Sequence, residues 1–447
     1  MSPRLLLSIL LAGLALAAGP AAAQIGLPGG LSGGPPQTLG LPGNLPSRLP
    51  VGTDDLRALA RDRLRETLRA PARLRGLVRQ SNGALEADPE GWPVVRAQVV
   101  AIDLSDEGRR RALEAGFAVV REERLEALDL TTVVLIPPRG LSLRRAVERL
   151  RRLDPEGSYA FNHVHATAGV IAPAELLPDT LRARAPAAPR QTSVRIGLID
   201  TGIDGRHPAF AGARITQRGF AGPARPGPHG AAVASLMIGR SGGFSGTAPG
   251  AELHAADIYG GSAAGGSSTA LVEALAWMAE NAVPVVNVSL VGPRNALVEA
   301  AVRRAVARGM LIVAAVGNDG PAAPPLYPAT YPDVVGVTAV NARGRVLPEA
   351  GRGPQVDFAA PGADMAAAGT GEGYVAVRGS SFAAPLVAGL LAQQVGGAGR
   401  GGAEAAVART AVDAGARGPD PVYGRGLVAA DRRVPPAAVG ARGRLTR

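Results

Sequence analysis

Three side chains able to do nucleophilic chemistry stand at boundaries between the elements that the sequence pattern predicts. Asp200 closes the apolar run 194–199, His229 precedes the small-residue run 230–237, and Ser381 follows Gly379-Ser380 where a helical segment opens. A serine hydroxyl attacks a carbonyl at neutral pH only when a base takes its proton during the attack. Imidazole is the side chain that titrates nearest that pH, and a carboxylate can orient the imidazole and stabilise its charged form. His229 is one of only five histidines in the chain. Each residue alone has a plainer reading, since a hydroxyl at a helix start is commonly no more than an N-cap.

Chemistry of this kind needs a frame, and residues 191–430 supply the pattern of one. Apolar strands are predicted at 194–199, 285–290, 311–316 and 334–340, with helices at 230–238, 269–281, 296–308 and 381–394. Continuous Val/Ile/Leu strands separated by helices indicate an α/β fold, a parallel sheet with helices on both faces. In such sheets reactive groups collect in loops at the carboxyl ends of strands, where Asp200 lies. Residues 94–167 follow a different rhythm: strand 95–104, helix 105–116, paired strands 117–138, helix 142–153 and an extended end at 159–166. That β-α-β-β-α-β order predicts a small α+β, ferredoxin-like domain at 93–167.

The remaining segments divide accordingly. Residues 1–23 have Arg4, an apolar run and Ala21-Ala22-Ala23, the pattern of a signal peptide; the apolar run is shorter than the roughly 20 residues that span a bilayer. The protein is therefore expected to be exported, to a periplasm or the cell exterior, without stable membrane insertion. Residues 24–92 read as a Gly/Pro linker and an Arg-rich helix that starts at Thr53, carries Leu56, Leu59, Leu64 and Leu68, and stops at Pro71. Residues 168–190 read as an exposed Ala/Pro/Arg linker, and 431–447 as a basic tail.

Net charge is +11, yet residues 191–430 carry 18 Arg against 16 acids, so the largest segment is almost neutral. A surface that tracks phosphates has no concentrated source outside the tail, and no nucleic-acid partner is expected. With no cysteine among 447 residues, disulfides, thiolate zinc sites and iron-sulfur clusters are excluded.

The three motifs, in the order Asp, His, Ser, resemble the subtilase family of serine proteases over about residues 191–430. Intervening blocks fit the same family in the same order, among them Gly246-Thr247-Ala248-Pro249-Gly250, Asn287-Val288-Ser289-Leu290, Ala314-Ala315-Val316-Gly317-Asn318 and Tyr327-Pro328-Ala329-Thr330. The resemblance implies an endopeptidase acting on protein or peptide substrates, with Ser381 as nucleophile, His229 as base and Asp200 as its orienting partner. It also aligns Asn318 with the family's side-chain donor to the oxyanion, a donor whose loss in subtilisin costs roughly 10²–10³ in turnover.

Further expectations follow from the resemblance. Ser289, Leu290 and Val291 would line one side of the substrate cleft and Ala315, Val316 and Gly317 the other. Val291 stands where relatives commonly have Gly and should narrow the cleft, and Asp319 lies near its mouth. Ala231 and Ala232 replace the Thr and His that usually follow the catalytic His, while Ser380 and Phe382 replace Thr and Met around the nucleophile. No cofactor is expected, and calcium finds no assignable site because loop 239–245 lacks Asn and Asp oxygens. The 93–167 domain stands where subtilases carry a propeptide, and its end at 161–166 resembles the terminus that lies in the active-site cleft. It is therefore an expected partner of the protease within the same chain, in an autoprocessed zymogen. The competing reading is a catalytically inactive, subtilase-like binding protein.

Overall fold

A computed structural model describes residues 72–171 and 192–441. The expected signal segment, the Gly/Pro tract, the helix from Thr53 and most of the 168–190 linker lie outside the described residues, as does the end of the basic tail. Every described residue belongs to one unit, Arg57–Arg447. Helix α1 (Ala72–Gln80) begins directly after Pro71, the residue read as a helix stop. Proline lacks only a donor that the first turn of a helix leaves unused, so it precedes helices as readily as it ends them.

The amino-terminal sheet contains β1 (Leu85–Ala87), β2 (Pro93–Ile102), β3 (Ala118–Leu125), β4 (Leu130–Ile136) and β5 (Ser158–His163). Its spatial order is β3-β4-β2-β5, all antiparallel, with β1 paired to the start of β2. Helices α2 (Asp106–Glu114) and α3 (Leu143–Leu153) complete the ferredoxin-like order. Ser105 caps α2 by accepting from Gly108 N at 3.0 Å. Strand periodicity decides where each side chain goes. Val99 and Ala101 of β2 pack under the two helices with Ala112, Ala146 and Leu150. Val100 and Ile102, turned the other way, join Leu125 and Leu128 against residues of the following domain.

Two short strands, β6 (Ala166–Thr167) and β7 (Val170–Ile171), come next. The following domain is then built on β8 (Arg195–Asp200), β9 (Ile215–Gly219), the hairpin β10 and β11 (Arg240–Ser241, Phe244–Ser245), β12 (Glu252–Asp257), β13 (Val285–Val288), β14 (Leu290–Val291), β15 (Leu311–Ala315), β16 (Val334–Val340), β17 (Phe358–Pro361) and the hairpin β18 and β19 (Met365–Ala368, Tyr374–Arg378). Seven of these form one parallel sheet in the order β17-β16-β15-β13-β8-β12-β9. Helices α4 (Pro228–Ile238) and α7 (Ser380–Ala408) cover one face, α5 (Ser268–Glu280) and α6 (Ala296–Ala307) the other. Alternation is again visible: Ile196 and Leu198 of β8 face α4 and α7, and Ile199 faces α5 and α6.

Three strands of this sheet escape the four-strand expectation. Edge strand β9 (ITQRG) has no apolar run, β17 is only four residues long, and β12 (ELHAAD) has its apolar residues interrupted by His254 and closed by Asp257. Helix α7 also runs well past residue 394, with a break at Gly399 (φ 59°). Pro385 sits inside its first turns without harm. The amide it lacks would have bonded the carbonyl of Ser381, and the Ser289 hydroxyl donates to that oxygen instead, at 2.9 Å.

Candidate active site

Strand β8 is central in the parallel sheet and delivers Asp200 at its carboxyl end, fully buried. His229 is the second residue of α4, which Pro228 opens. The following Gly230 is required by space, because a Cβ there would lie 2.1 Å from the Thr201 carbonyl oxygen. The imidazole Nδ1 faces both Asp200 carboxylate oxygens, at 2.9 and 2.8 Å, and Nε2 faces Ser381 Oγ at 3.0 Å. A proton held on Nδ1 by the carboxylate leaves Nε2 as the acceptor for the serine proton.

Ser381 enters from α7, whose preceding residue Gly379 has φ 135°, a left-handed conformation in which a Cβ would also lie 2.8 Å from Asn318 Nδ2. Asn318 is fixed through its Oδ1, which accepts from Ser380 N at 2.9 Å, and the Ser380 hydroxyl accepts from Gly317 N at 3.1 Å. The serine that departs from the family's Thr therefore holds the loop carrying Asn318. The ring of Phe382 packs on His229 with centroids 5.3 Å apart.

The segment that occupies this site was not anticipated. The expected cleft terminus was 161–166, with an exposed linker from 168; the structure instead runs residues 166–171 through the cleft. Strand β6 pairs antiparallel with β14 (Leu290 opposite Thr167, Val291 opposite Ala166), and β7 pairs with β19 (Val377 opposite Ile171). Between them the Ala168 carbonyl oxygen accepts from Ser381 N at 3.1 Å and from Asn318 Nδ2 at 2.5 Å, while Ala168 N donates to Ser289 O at 3.2 Å. Two donors thus converge on one carbonyl next to a serine hydroxyl paired with an imidazole. The sequence signal for this placement was weak, because Ala168-Gly169 looks like any small-residue turn.

The six expected cleft residues divide. Ser289 supplies the backbone oxygen just described, and Leu290 pairs by its backbone with Thr167. Val291 and Ala315 belong to the apolar cluster that contains Ala168, and Gly317 adjoins Val291. The Leu290 and Val316 side chains turn into the cluster on the opposite face of the sheet, as the period-2 alternation of a strand requires. Leu326, which no motif reading picked out, lies with Val291 beside Gly317 and belongs to the cluster that contains Ala168. Asp319 does lie at the mouth of the cleft, where the Arg73 guanidinium of α1 grips its two oxygens at 2.7 and 2.8 Å and also reaches Thr167 O at 3.2 Å. Upstream, His165 is fully buried with Nδ1 3.3 Å from Gly266 O, and burial, aided by nearby His163, lowers its pKa to about 4.

Loop 239–245 forms the β10-β11 hairpin, and among the described residues no three His, Asp or Glu side chains converge as metal ligands do. No helix among the described residues is long and apolar enough to cross a membrane.

Comparison with known proteins agrees with this geometry. The model of the Subtilase family (Peptidase S8) matches residues 191–426, more than half of the chain. M-protease of Shouchella clausii (strain KSM-K16) is 33% identical over 286 residues, covering 61% of this chain and 72% of that one. Subtilisin Savinase of Lederbergia lenta is 35% identical over 225 residues, 47% of this chain and 81% of that one. Among solved structures, fervidolysin from Fervidobacterium pennivorans, a keratinolytic enzyme related to subtilisin, superposes with a TM-score of 0.62 at 20% identity. That superposition covers 79% of this chain and 62% of the fervidolysin chain, and it shows likeness of fold. The chain belongs to the subtilase family and is a subtilisin-like serine protease.

Proposed function

We propose that the protein is exported as a zymogen and cuts its own chain between Ala168 and Gly169, and that residues up to Ala168 then stay on the protease as its inhibitor. One observation carries the reading: the Ala168 carbonyl oxygen accepts from both Ser381 N and Asn318 Nδ2 while Ser381 Oγ faces His229 Nε2 at 3.0 Å. In this cycle Ser381 Oγ adds to the Ala168 carbonyl carbon and its proton passes to His229. Asp200 stabilises the imidazolium, and the Ser381 amide and Asn318 hold the oxyanion. Collapse breaks the Ala168–Gly169 bond as His229 returns the proton to the Gly169 nitrogen. Water then attacks the ester by the same route, leaving a carboxylate on Ala168. Each proton moved has a donor and an acceptor among these residues and water, so the cycle calls on no cofactor. Export rests on the signal pattern of residues 1–23. The antiparallel sheet, docked by one face on α5 and α6, supports its reading as a propeptide.

Mass spectrometry of the purified protein tests both halves. Wild type is expected as two pieces, the second starting at Gly169, and a fluorophosphonate should label Ser381. Ser381→Ala should remain joined across 168–169 and lose at least about 10⁴ in turnover. A wild-type chain that stays uncut while hydrolysing peptides would overturn the zymogen reading, and full activity of Ser381→Ala would overturn the assignment of the nucleophile.

A further inference from the structure

The residues touching Ala168 and Gly169 say which bonds this protease accepts, an inference that rests on the proposed self-cleavage. Ala168 is 1% exposed and belongs to the apolar cluster that also holds Val291 and Leu326. Gly317, at φ 94°, could not carry a Cβ, because that atom would lie 2.4 Å from Leu326 Cδ1, with Val291 Cγ1 at 3.6 Å. Leu326 and Val291, 3% and 0% exposed, belong to the same packed apolar cluster as Ala168, so a longer side chain at the Ala168 position has to find room among such neighbours. The other side of the bond is closed too. A Cβ on Gly169 would lie 2.2 Å from Ser381 Oγ and 2.6 Å from Phe382 Cε2. The serine oxygen is held by His229, and the fully buried Phe382 ring rests on that same imidazole, so neither can retreat without disturbing the base.

We infer that the enzyme is specific for bonds between a small residue and glycine, with Leu326 and Val291 limiting the residue on the acyl side and Phe382 the residue on the leaving side. Its substrates are accordingly extended, Ala- and Gly-rich polypeptide segments. Leu326 and Phe382 are specificity residues here, one through the packed cluster that holds Ala168 and the other through its closeness to Gly169.

Internally quenched peptides built on residues 165–171 give the test, with Ala, Leu or Phe at the 168 position and Gly, Ala or Leu at 169. For wild type, kcat/KM should fall at least about tenfold from Ala to Phe at 168, and at least about tenfold from Gly to Leu at 169. Leu326→Ala should raise the Phe/Ala ratio about tenfold and leave the Leu/Gly ratio unmoved, and Phe382→Met should do the reverse. Misfolding would move both ratios or abolish turnover, so the separation of the two sides distinguishes specificity from damage. Should either variant fail to fold, the wild-type panel decides. A flat wild-type profile, or a folded variant that moves both ratios or neither, overturns the inference while leaving the protease reading intact. Peptides uncut at any sequence, together with a Ser381 that fluorophosphonate does not label, would defeat the protease reading and this inference with it.

Discussion

The parallel sheet of the protease and the antiparallel sheet of residues 85–163 are each covered on two faces, but by different kinds of neighbour. Both faces of the parallel sheet are sealed by its own domain's helices, through side chains that are almost all aliphatic and fully buried. The antiparallel sheet has its own helices on one face only. On the other, a narrow apolar strip of Val100, Ile102, Leu125 and Leu128 meets α5 and α6 inside a rim of charge and amide contacts. Arg121 pairs with Glu273 at 2.7 Å, Arg304 with Asp103 at 2.5 Å, and Asn295 donates to Phe161 O at 2.9 Å. The arginines of these pairs keep part of their hydration, so the pairs fix orientation while adding little to affinity, whereas Glu273 and Asn295 are buried. On the proposed self-cleavage, the second interface is the one that comes apart.

The sharpest way to probe the place where the two regions meet is Asn318. Its amide bonds a residue of the amino-terminal segment, yet its proposed chemical use lies in the transition state. Asn318→Ala should lower kcat by about 10²–10³ with KM changing little, because the donor acts on charge that appears only as the carbonyl is attacked. Thermal unfolding should fall modestly, because the buried Ser380 amide loses its acceptor. Steady-state kinetics on a short peptide decides it, and an unchanged kcat would take Asn318 out of the mechanism.

Acid should act on the releasable interface and spare the other. Within the complex His165 is buried beside Gly266 and Gly292, its carbonyl accepts from the Tyr259 hydroxyl at 3.0 Å, and its Nε2 has no partner. Its pKa there is about 4 against 6.5 for a free imidazole. Above pH 6.5 both states are neutral and retention is complete. Between 6.5 and about 4 the released segment binds a proton that the complex refuses, so falling pH favours release, by up to about 10²-fold. Glu273 pulls the opposite way, since burial raises its pKa in the complex. Comparison of wild type with His165→Asn therefore isolates the histidine. Gel filtration of the self-cleaved protein at pH 7 and pH 4.5 should show the wild-type pieces separating and the His165→Asn pieces separating less; equal behaviour would remove His165 as the cause.

The same contrast explains what was legible in the sequence. Asp200, His229 and Ser381 could be read because each lies at the edge of a strongly patterned element, and the structure brings all three together. Four buried strands of the parallel sheet were legible from their apolar runs. Strand β9 was not, since an edge strand needs apolar side chains on one face at most. Residues 166–171 were illegible for another reason: they are strands only because β14 and β19 lie beside them, and nothing in Ala-Thr-Ala-Gly-Val-Ile encodes that pairing locally. Leu326 escaped notice because its position against Val291 follows from the path of a loop, not from any spacing in the chain.

The smallest effect concerns α1, which lies outside the ferredoxin-like order and adds a charged contact at the mouth of the cleft. Arg73 grips Asp319 through two parallel hydrogen bonds and touches the backbone of Thr167, two residues from the proposed cut. Its side chain is 36% exposed while that of Asp319 is 9% exposed. With the arginine this open to solvent the pair contributes about 1 kcal/mol, so Arg73→Ala should speed escape of the cleaved segment by about three- to fivefold. Arg73→Lys keeps the charge but not the two-point geometry and should fall between. Asp319→Asn should cost about as much as Arg73→Ala, and the double variant no more than either single one, because both changes delete the same contact. The rate at which peptidase activity appears after dilution of the self-cleaved complex measures all four. Additive losses in the double variant would show that Arg73 and Asp319 act separately, and the latch between α1 and the cleft would have to be abandoned.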